Sequence, residues 1–378
     1  MNSQKKRIIL LGGFAESLVV FRQPLLQAMV ELGHSVTACA PDATKPLIER
    51  LEAIGVGYHD VPLDRTGLNP VKDAITIGAL IALFRRERPD ALLSYTIKPV
   101  IYGSLAAKAA GLPNAFAMIT GAGKASTSQE GLKQWFARSM ARLLYRQALK
   151  HNKAIMFQNP DDREMFKTFN LVRPSQHLVT LNGSGVDLEA FKPAPLPTEP
   201  PSFLLIARLI EEKGVREYVD AARAVKSRHP DASFRLVGWI DDQPGAIRRD
   251  ELEAWIAEGT IEYLGRLDDV RPAIADSSVY VLPSYYPEGT PRSILEAMAM
   301  GRPIITTDMP GCRETVQEGT NGYLVPAQDQ RQLVAAMERF IDQPDLITSF
   351  GQASLDIAKE RYDVNKVNAA ILDAMHLL

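Results

Sequence analysis

The chain predicts an α/β protein of two doubly wound parallel-sheet domains. Three observations lead there. Short apolar or β-branched runs alternate with longer amphipathic ones, and βαβα order implies a parallel sheet with helices packed on it. A stretch with five prolines, residues 191–201, interrupts that alternation and reads as a linker, after which the pattern restarts. The 378 residues suffice for two domains of ordinary size, each able to bury a full core.

In the first half the expected strands are 7–11, 35–39, 57–61, 91–94, 115–118, 154–157 and 177–180, with helical stretches between most of them. The first strand runs into Gly12-Gly13-Phe-Ala-Glu-Ser17. Glycines at such a turn let backbone approach a phosphate, and they serve equally in a plain strand–helix turn. The pattern is not Gly-x-Gly-x-x-Gly, and the second strand ends in Cys39-Ala-Pro41 without an acid, which counts against a nicotinamide dehydrogenase. Ile119-Thr-Gly121-Ala-Gly123-Lys124-Ala-Ser is no nucleotide P-loop, because Met118 and Ala125 stand where that motif needs glycine and a hydroxyl. Residues 132–153 contain no acid. Arg138, Arg142, Arg146 and Lys150 recur there every fourth residue, with Trp135, Phe136, Met140, Leu143 and Leu144 on another face. This is either a core helix with a solvated basic face or a helix lying on an anionic membrane, each cation adding about 1 kcal/mol there.

In the second half the expected strands are 203–207, 234–238, 261–264, 279–282, 304–307 and 323–325. Arg208 and Lys213 follow the first of these, in Arg208-Leu-Ile-Glu-Glu-Lys213. Two cations near a helix start can hold a diphosphate, or belong to a solvated cluster with Glu211 and Glu212. Gly238, Leu264, Gly265 and Leu267 lie at strand ends, where a nucleotide base sits in an open α/β sheet. The run 279–282 leads into Pro283-Ser-Tyr-Tyr-Pro-Glu288-Gly-Thr-Pro-Arg-Ser-Ile-Leu-Glu296. Here Thr290 is the expected N-cap, with Pro291 at the first helical position. The helix is apolar nearly all round yet carries Glu296, and Glu288 precedes it. Backbone N–H groups at Gly289, Thr290 and Arg292, at the positive end of the helix dipole, make an anion site, and the two carboxylates suit hydroxyls. The competing reading pairs Glu296 with Arg292 one turn earlier, in the weaker orientation for such a pair.

Composition, 46% apolar and 23% charged, describes a soluble globular protein. Residues 1–190 carry a net charge of +7 and residues 191–378 one of −9, so the first half is expected to meet something anionic. Cys39 and Cys312 lie far apart with no ligand spacing, which favours a reducing compartment. The histidines form no cluster and no Asp-x-Asp occurs, so no metal site is expected. Neither a secretory segment nor a run of about 20 apolar residues is present, giving a cytoplasmic expectation.

Glu288 and Glu296, with seven residues between them and Ala297-Met-Ala-Met-Gly-Arg-Pro303 after, resemble the paired-glutamate motif of family-4 retaining glycosyltransferases. Ile304-Ile-Thr-Thr-Asp-Met-Pro-Gly-Cys-Arg-Glu314 and Asn321-Gly-Tyr-Leu-Val-Pro326 continue it. Tyr95-Thr-Ile-Lys98-Pro-Val-Ile-Tyr, Phe157-Gln-Asn-Pro-Asp-Asp162 and Asn182-Gly-Ser-Gly-Val-Asp187 resemble the bacterial branch that adds N-acetylhexosamines to undecaprenyl-diphosphate-linked sugars.

That resemblance implies a GT-B fold, two Rossmann-like domains facing across a cleft. Residues 1–190 with a returning helix from 362 to 378 would form the first domain, 191–201 the linker and 202–361 the second. It implies transfer of GalNAc or GlcNAc from a UDP-sugar to an undecaprenyl-diphosphate-linked saccharide, with no metal or other cofactor and no nucleic acid. Glu288, Arg208 and Lys213 become catalytic. Glu296, Gly12, Gly13, Gly238, Leu264, Gly265, Leu267, Gly289, Thr290 and Arg292 bind the donor. Thr96 and Lys98, replacing a histidine frequent after the fourth strand, join Gly121 and Gly123 on the acceptor side. The Trp135, Arg138, Arg142, Arg146 and Lys150 helix rests on the anionic inner leaflet, making the protein peripheral on the cytoplasmic face. Gly238-Trp-Ile-Asp stands where the family often has Gly-x-Gly, a departure in the base pocket. The alternatives are a UDP-sugar 2-epimerase of the same fold and another hexosyltransferase. A solute-binding protein is set aside because such proteins are usually exported.

Overall fold

The computed structural model describes residues 5–64, 69–121, 132–197, 200–240 and 245–378, the side chains of 132–138 excepted. The chain divides into two compact units, Met1–Ser184 with Val364–Leu378, and Gly185–Asp363.

The first unit holds β1 (Arg7–Leu11), β2 (Ser35–Ala40), β3 (Val56–Asp60), β4 (Ala91–Tyr95), β5 (Ala115–Ile119), β6 (Asn152–Phe157) and β7 (His177–Thr180) in one parallel sheet. The strand order is β3-β2-β1-β4-β5-β6-β7, so its direction reverses between β1 and β4. Helices cover both faces, which is why β4 and β5 are buried along their whole length and read as unbroken apolar runs. The period of two still sorts their side chains. Ile8, Leu10, Leu93, Met118 and Met156 join one core layer, and Ile9, Leu11, Leu92, Ala117 and Ile155 the other. The last helix, Val364–Ala374, adds Val367, Ile371 and Leu372 to the first of these layers. The expected return of the C-terminal helix is thus present.

The second unit holds β8 (Ser202–Ile206), β9 (Ser233–Val237), β10 (Glu262–Tyr263), β11 (Val279–Leu282), β12 (Ile304–Thr307) and β13 (Gly322–Val325). These strands are also parallel, in the order β10-β9-β8-β11-β12-β13. Most edges lie within a residue of expectation. β10 is shorter because it is an edge strand that pairs with β9 alone, at Glu262–Arg235 and Tyr263–Leu236.

Residues 191–197 of the proline-rich stretch belong to this second unit, with Phe191, Ala194 and Leu196 packed against its core. Arg302, fully buried, holds them there. Its guanidinium donates to the carbonyls of Ala194, Pro195, Ile274, Ala275 and Met300 at 2.9–3.0 Å. All five donors of the fork are thereby used. Burial pulls its pKa down to about 10, which leaves it charged at neutral pH. One local expectation is corrected. The helix runs Arg292–Ala299 with Pro291 as its N-cap residue, extended at ψ 117°, so Thr290 is not the cap.

Candidate functional site

The strand order of the second unit reverses between β8 and β11, and in open α/β sheets the loops leaving the two strands at such a point make the ligand crevice. Here those loops are stitched together. The N–H groups of Tyr285 and Tyr286 donate to the carbonyl of Glu212 at 2.8 and 2.9 Å, and Ser284 Oγ donates to it at 3.2 Å. Gly214, at φ +72°, permits this approach, since a Cβ there would lie 2.2 Å from the Pro283 carbonyl.

The stitching brings three predicted residues into one cluster. Lys213 Nζ is ion-paired with Glu288 Oε1, their side chains only 12% and 13% exposed. The same carboxylate oxygen lies 3.3 Å from Ser284 Oγ, whose single proton it shares with the Glu212 carbonyl. Lys213 Nζ and the Arg208 guanidinium lie 5.5 and 5.7 Å from the centroid of the Tyr286 ring, so one aromatic ring carries both cations. Ser284 and Tyr286 were not singled out from sequence. Their roles follow from the loop stitching, which leaves no spacing signal.

Glu296 is paired with Arg292 at 2.8 Å, the i,i+4 arrangement that was the competing reading. Burial pushes its carboxyl above the ordinary range, against the pull of Arg292. Behind the site Thr306 Oγ1 donates to the Leu282 carbonyl at 2.7 Å, and Thr307 Oγ1 to that of Ser284, so the loop after β11 hangs from β12. Leu264 and Gly265 follow β10: Leu264 N–H donates to Leu236 and Gly238 N–H to Gly265, both at 2.9 Å. Leu264 and Leu267 pack partly into the core layer beneath. Gly289 and Thr290 lie in the loop between Glu288 and the helix.

The first unit reverses between β1 and β4, and Gly12, Gly13 and Thr96 meet there. A Cβ on Gly12 would lie 2.4 Å from Tyr95 Oη, and one on Gly13 2.7 Å from Thr96 Oγ1. These glycines make room for the end of β4 and the start of the helix that follows it, Ile97–Ala110. Thr96 has φ +68° and ψ 163°, a conformation that favours glycine. Its Oγ1 is buried with no hydrogen-bond partner among the described residues. Lys98 is committed to Asp73 at 3.1 Å in a largely buried pair, a partner no local pattern announces. Gly121 follows β5 at φ +113°. Gly123 lies outside the described residues.

The basic helix spans Leu132–Leu149. The side chains of Trp135 and Arg138 lie outside the described set. Tyr145, Ala148 and Leu149 face the core. Leu143 (51% exposed) and Met140 face out with Arg146, and the Arg142 guanidinium stacks 3.7 Å from the centroid of the Phe169 ring, itself exposed. Lys150 donates to Gln147 at 3.0 Å. Among the described residues no helix is long and apolar enough to cross a membrane, and no group of three or more His, Cys, Asp or Glu could hold a metal ion.

Two parallel α/β units of this order, with the C-terminal helix returned to the first, define the GT-B class of glycosyltransferase folds. The chain belongs to the glycosyltransferases: residues 19–183 match the family described as Glycosyl transferase 4-like domain, and residues 200–343 that described as Glycosyl transferases group 1. It is 26% identical over 372 residues, 95% of each chain, to N,N'-diacetylbacillosaminyl-diphospho-undecaprenol alpha-1,3-N-acetylgalactosaminyltransferase of Campylobacter jejuni. It is also 26% identical to the UDP-Gal:alpha-D-GlcNAc-diphosphoundecaprenol alpha-1,3-galactosyltransferase of Escherichia coli, over 75% of this chain and 74% of that one. Among solved structures, Anabaena HepE in complex with UDP superposes with a TM-score of 0.78 at 17% identity, covering 98% of this chain and all of that one.

Proposed function

We propose that the protein moves an N-acetylhexosamine from a UDP-sugar to an undecaprenyl-diphosphate-linked saccharide, with retention at the anomeric carbon and no metal. The observation that carries this is the end-to-end match to the Campylobacter enzyme, whose name states both the sugar moved and a lipid-linked acceptor. The galactosyl donor in the name of the E. coli relative supports a second reading, another hexose moved to the same kind of acceptor.

On this reading Lys213 leaves Glu288 for the departing diphosphate and joins Arg208 there, with the backbone N–H groups of Gly289, Thr290 and Arg292. Glu288, still held by Ser284, turns to the hydroxyls of the donor sugar. Glu296, oriented by Arg292, keeps acceptor capacity for the ribose hydroxyls. The acceptor hydroxyl forms its bond to the anomeric carbon on the face from which the diphosphate departs, and its proton passes to the departing phosphate oxygen. Preorganised donors aimed at that developing charge are worth about 3 kcal/mol each. Thr96, Lys98 and Gly121 are the acceptor contacts in this proposal.

The test is thermal unfolding in EDTA with UDP, GDP, ADP and NAD in parallel, followed by product analysis with and without a lipid-linked acceptor. A ligand at about 100 times its dissociation constant adds about 2.7 kcal/mol. UDP alone should stabilise the protein, and sugar should be transferred only when acceptor is present. Acceptor-independent conversion of the UDP-sugar would mark an epimerase instead, and stabilisation by NAD would end the reading.

A further inference from the structure

Trp239 carries an indole that the fold leaves 40% exposed, two residues beyond the end of β9. Single exposed apolar residues are ordinary, but the backbone beneath this one is locked. Its carbonyl accepts from Leu209 N–H at 2.9 Å. The preceding Gly238 donates its N–H to Gly265 and accepts at its carbonyl from Tyr263 Oη, both at 2.9 Å. A Cβ at position 238 would lie 1.9 Å from the Ala207 carbonyl, so the chain leaves β9 along this path only with glycine there. The guanidinium of Arg266, from the turn after β10, stands over the indole at 4.9 Å from its centroid. A rigid turn therefore presents a flat aromatic ring backed by a flat cation.

The place of this ring says what it would meet. Leu209, which holds the Trp239 carbonyl, is the neighbour of Arg208, the cation assigned above to the diphosphate. β8, β9 and β10 are adjacent in the sheet, so a nucleotide with its phosphates at Arg208 carries its base along the strand ends toward Gly238 and Gly265. We propose that Trp239, backed by Arg266, stacks on the pyrimidine base of the donor nucleotide and sets much of its affinity. The proposal rests on the UDP-sugar reading above. A base has two π faces for an indole to cover, whereas a diphosphate has none.

The experiment is calorimetry of UDP and of inorganic diphosphate with the wild type, Trp239→Phe and Trp239→Ala, together with tryptophan fluorescence. Of the other two tryptophans, Trp255 is buried and Trp135 belongs to the first unit, so the UDP-dependent signal is expected from position 239, and Trp239→Phe checks that assignment. UDP should quench the wild type. Trp239→Phe should bind UDP within about threefold of the wild type, since a smaller ring still stacks, but without that quenching. Trp239→Ala should bind UDP about tenfold more weakly or worse, the scale of one base–aromatic stack, with diphosphate binding unchanged. If the alanine variant binds UDP as the wild type does, the stacking proposal fails and the transferase reading stands. A parallel loss of diphosphate binding would show that the ring merely supports the Arg208 loop, which also overturns it. A wild type that does not bind UDP removes both.

Discussion

Lys213 and Glu288 satisfy each other's charge in a pocket where either alone would be costly. Removing one partner of such a pair leaves the other buried and uncompensated. A donor that inserts its diphosphate and sugar hydroxyls exchanges one set of charge partners for another without stranding either group. Lys213→Ala is therefore expected to lower kcat about 10²–10³-fold while UDP affinity falls much less, because the lysine matters most as charge builds on the leaving group. Equal losses in kcat and affinity would return Lys213 to a binding role only. Thr96 makes a different kind of prediction. Its backbone, at φ +68° and ψ 163°, stores strain of about 1–3 kcal/mol. Glycine would relieve it, less about 0.5–1 kcal/mol for a freer unfolded chain. Thr96→Gly should accordingly gain on the order of 1 kcal/mol in urea unfolding and lose activity with the lipid-linked acceptor. A loss of stability would mean that the conformation is not strained.

At the scale of elements, the helix Leu132–Leu149 has to be two things at once. Tyr145, Ala148 and Leu149 seal the first unit's core, while Leu143, Met140 and the Arg142–Phe169 stack face outward. We propose that this face, with basic side chains interleaved with exposed apolar ones, rests on an anionic membrane. Replacing Arg142 and Arg146 by alanine should remove about 2 kcal/mol of attraction and weaken binding to phosphatidylserine vesicles roughly 30-fold. Co-sedimentation is the measurement, repeated at high salt. Unchanged sedimentation would leave the helix a core element with a solvated basic face. The charge pattern of this helix is legible in sequence because it repeats every fourth residue. Phe169 is not, since it comes from the end of another helix, Pro160–Thr168, and shows no period of its own.

At the scale of the whole molecule, the two units differ in how they are made from the chain. The second is one continuous stretch, Gly185–Asp363, with its own core. The first is completed only by residues 364–378, which bring Val367, Ile371, Leu372, Met375 and Leu377 into one of its layers. Ending the chain at Asp363 uncovers that layer, at about 1.5–3 kcal/mol for each large side chain exposed. Two-transition calorimetry should show the unfolding of the first unit lost or moved far down, with that of the second little changed. A truncated chain that melts as the full one does would contradict the packing described here.

What the sequence by itself determined is the succession of strands and helices and the loops that carry chemistry. Strands buried on both faces leave apolar runs of recognisable length, and glycines and prolines mark where those runs end. Arg208, Lys213, Glu288 and Glu296 stood out as charges just after strand ends, a position that left a solvated cluster or a local ion pair open, and only the resemblance to a family gave them roles. Only the tertiary structure decided the partners. Lys213 meets Glu288, Lys98 meets Asp73, Arg302 gathers five carbonyls, and Arg266 covers Trp239. The first, second and last of these pairs are 75, 25 and 27 residues apart. Such side chains meet because strand order makes their loops neighbours, and strand order is settled by the packing of whole layers rather than by any local spacing.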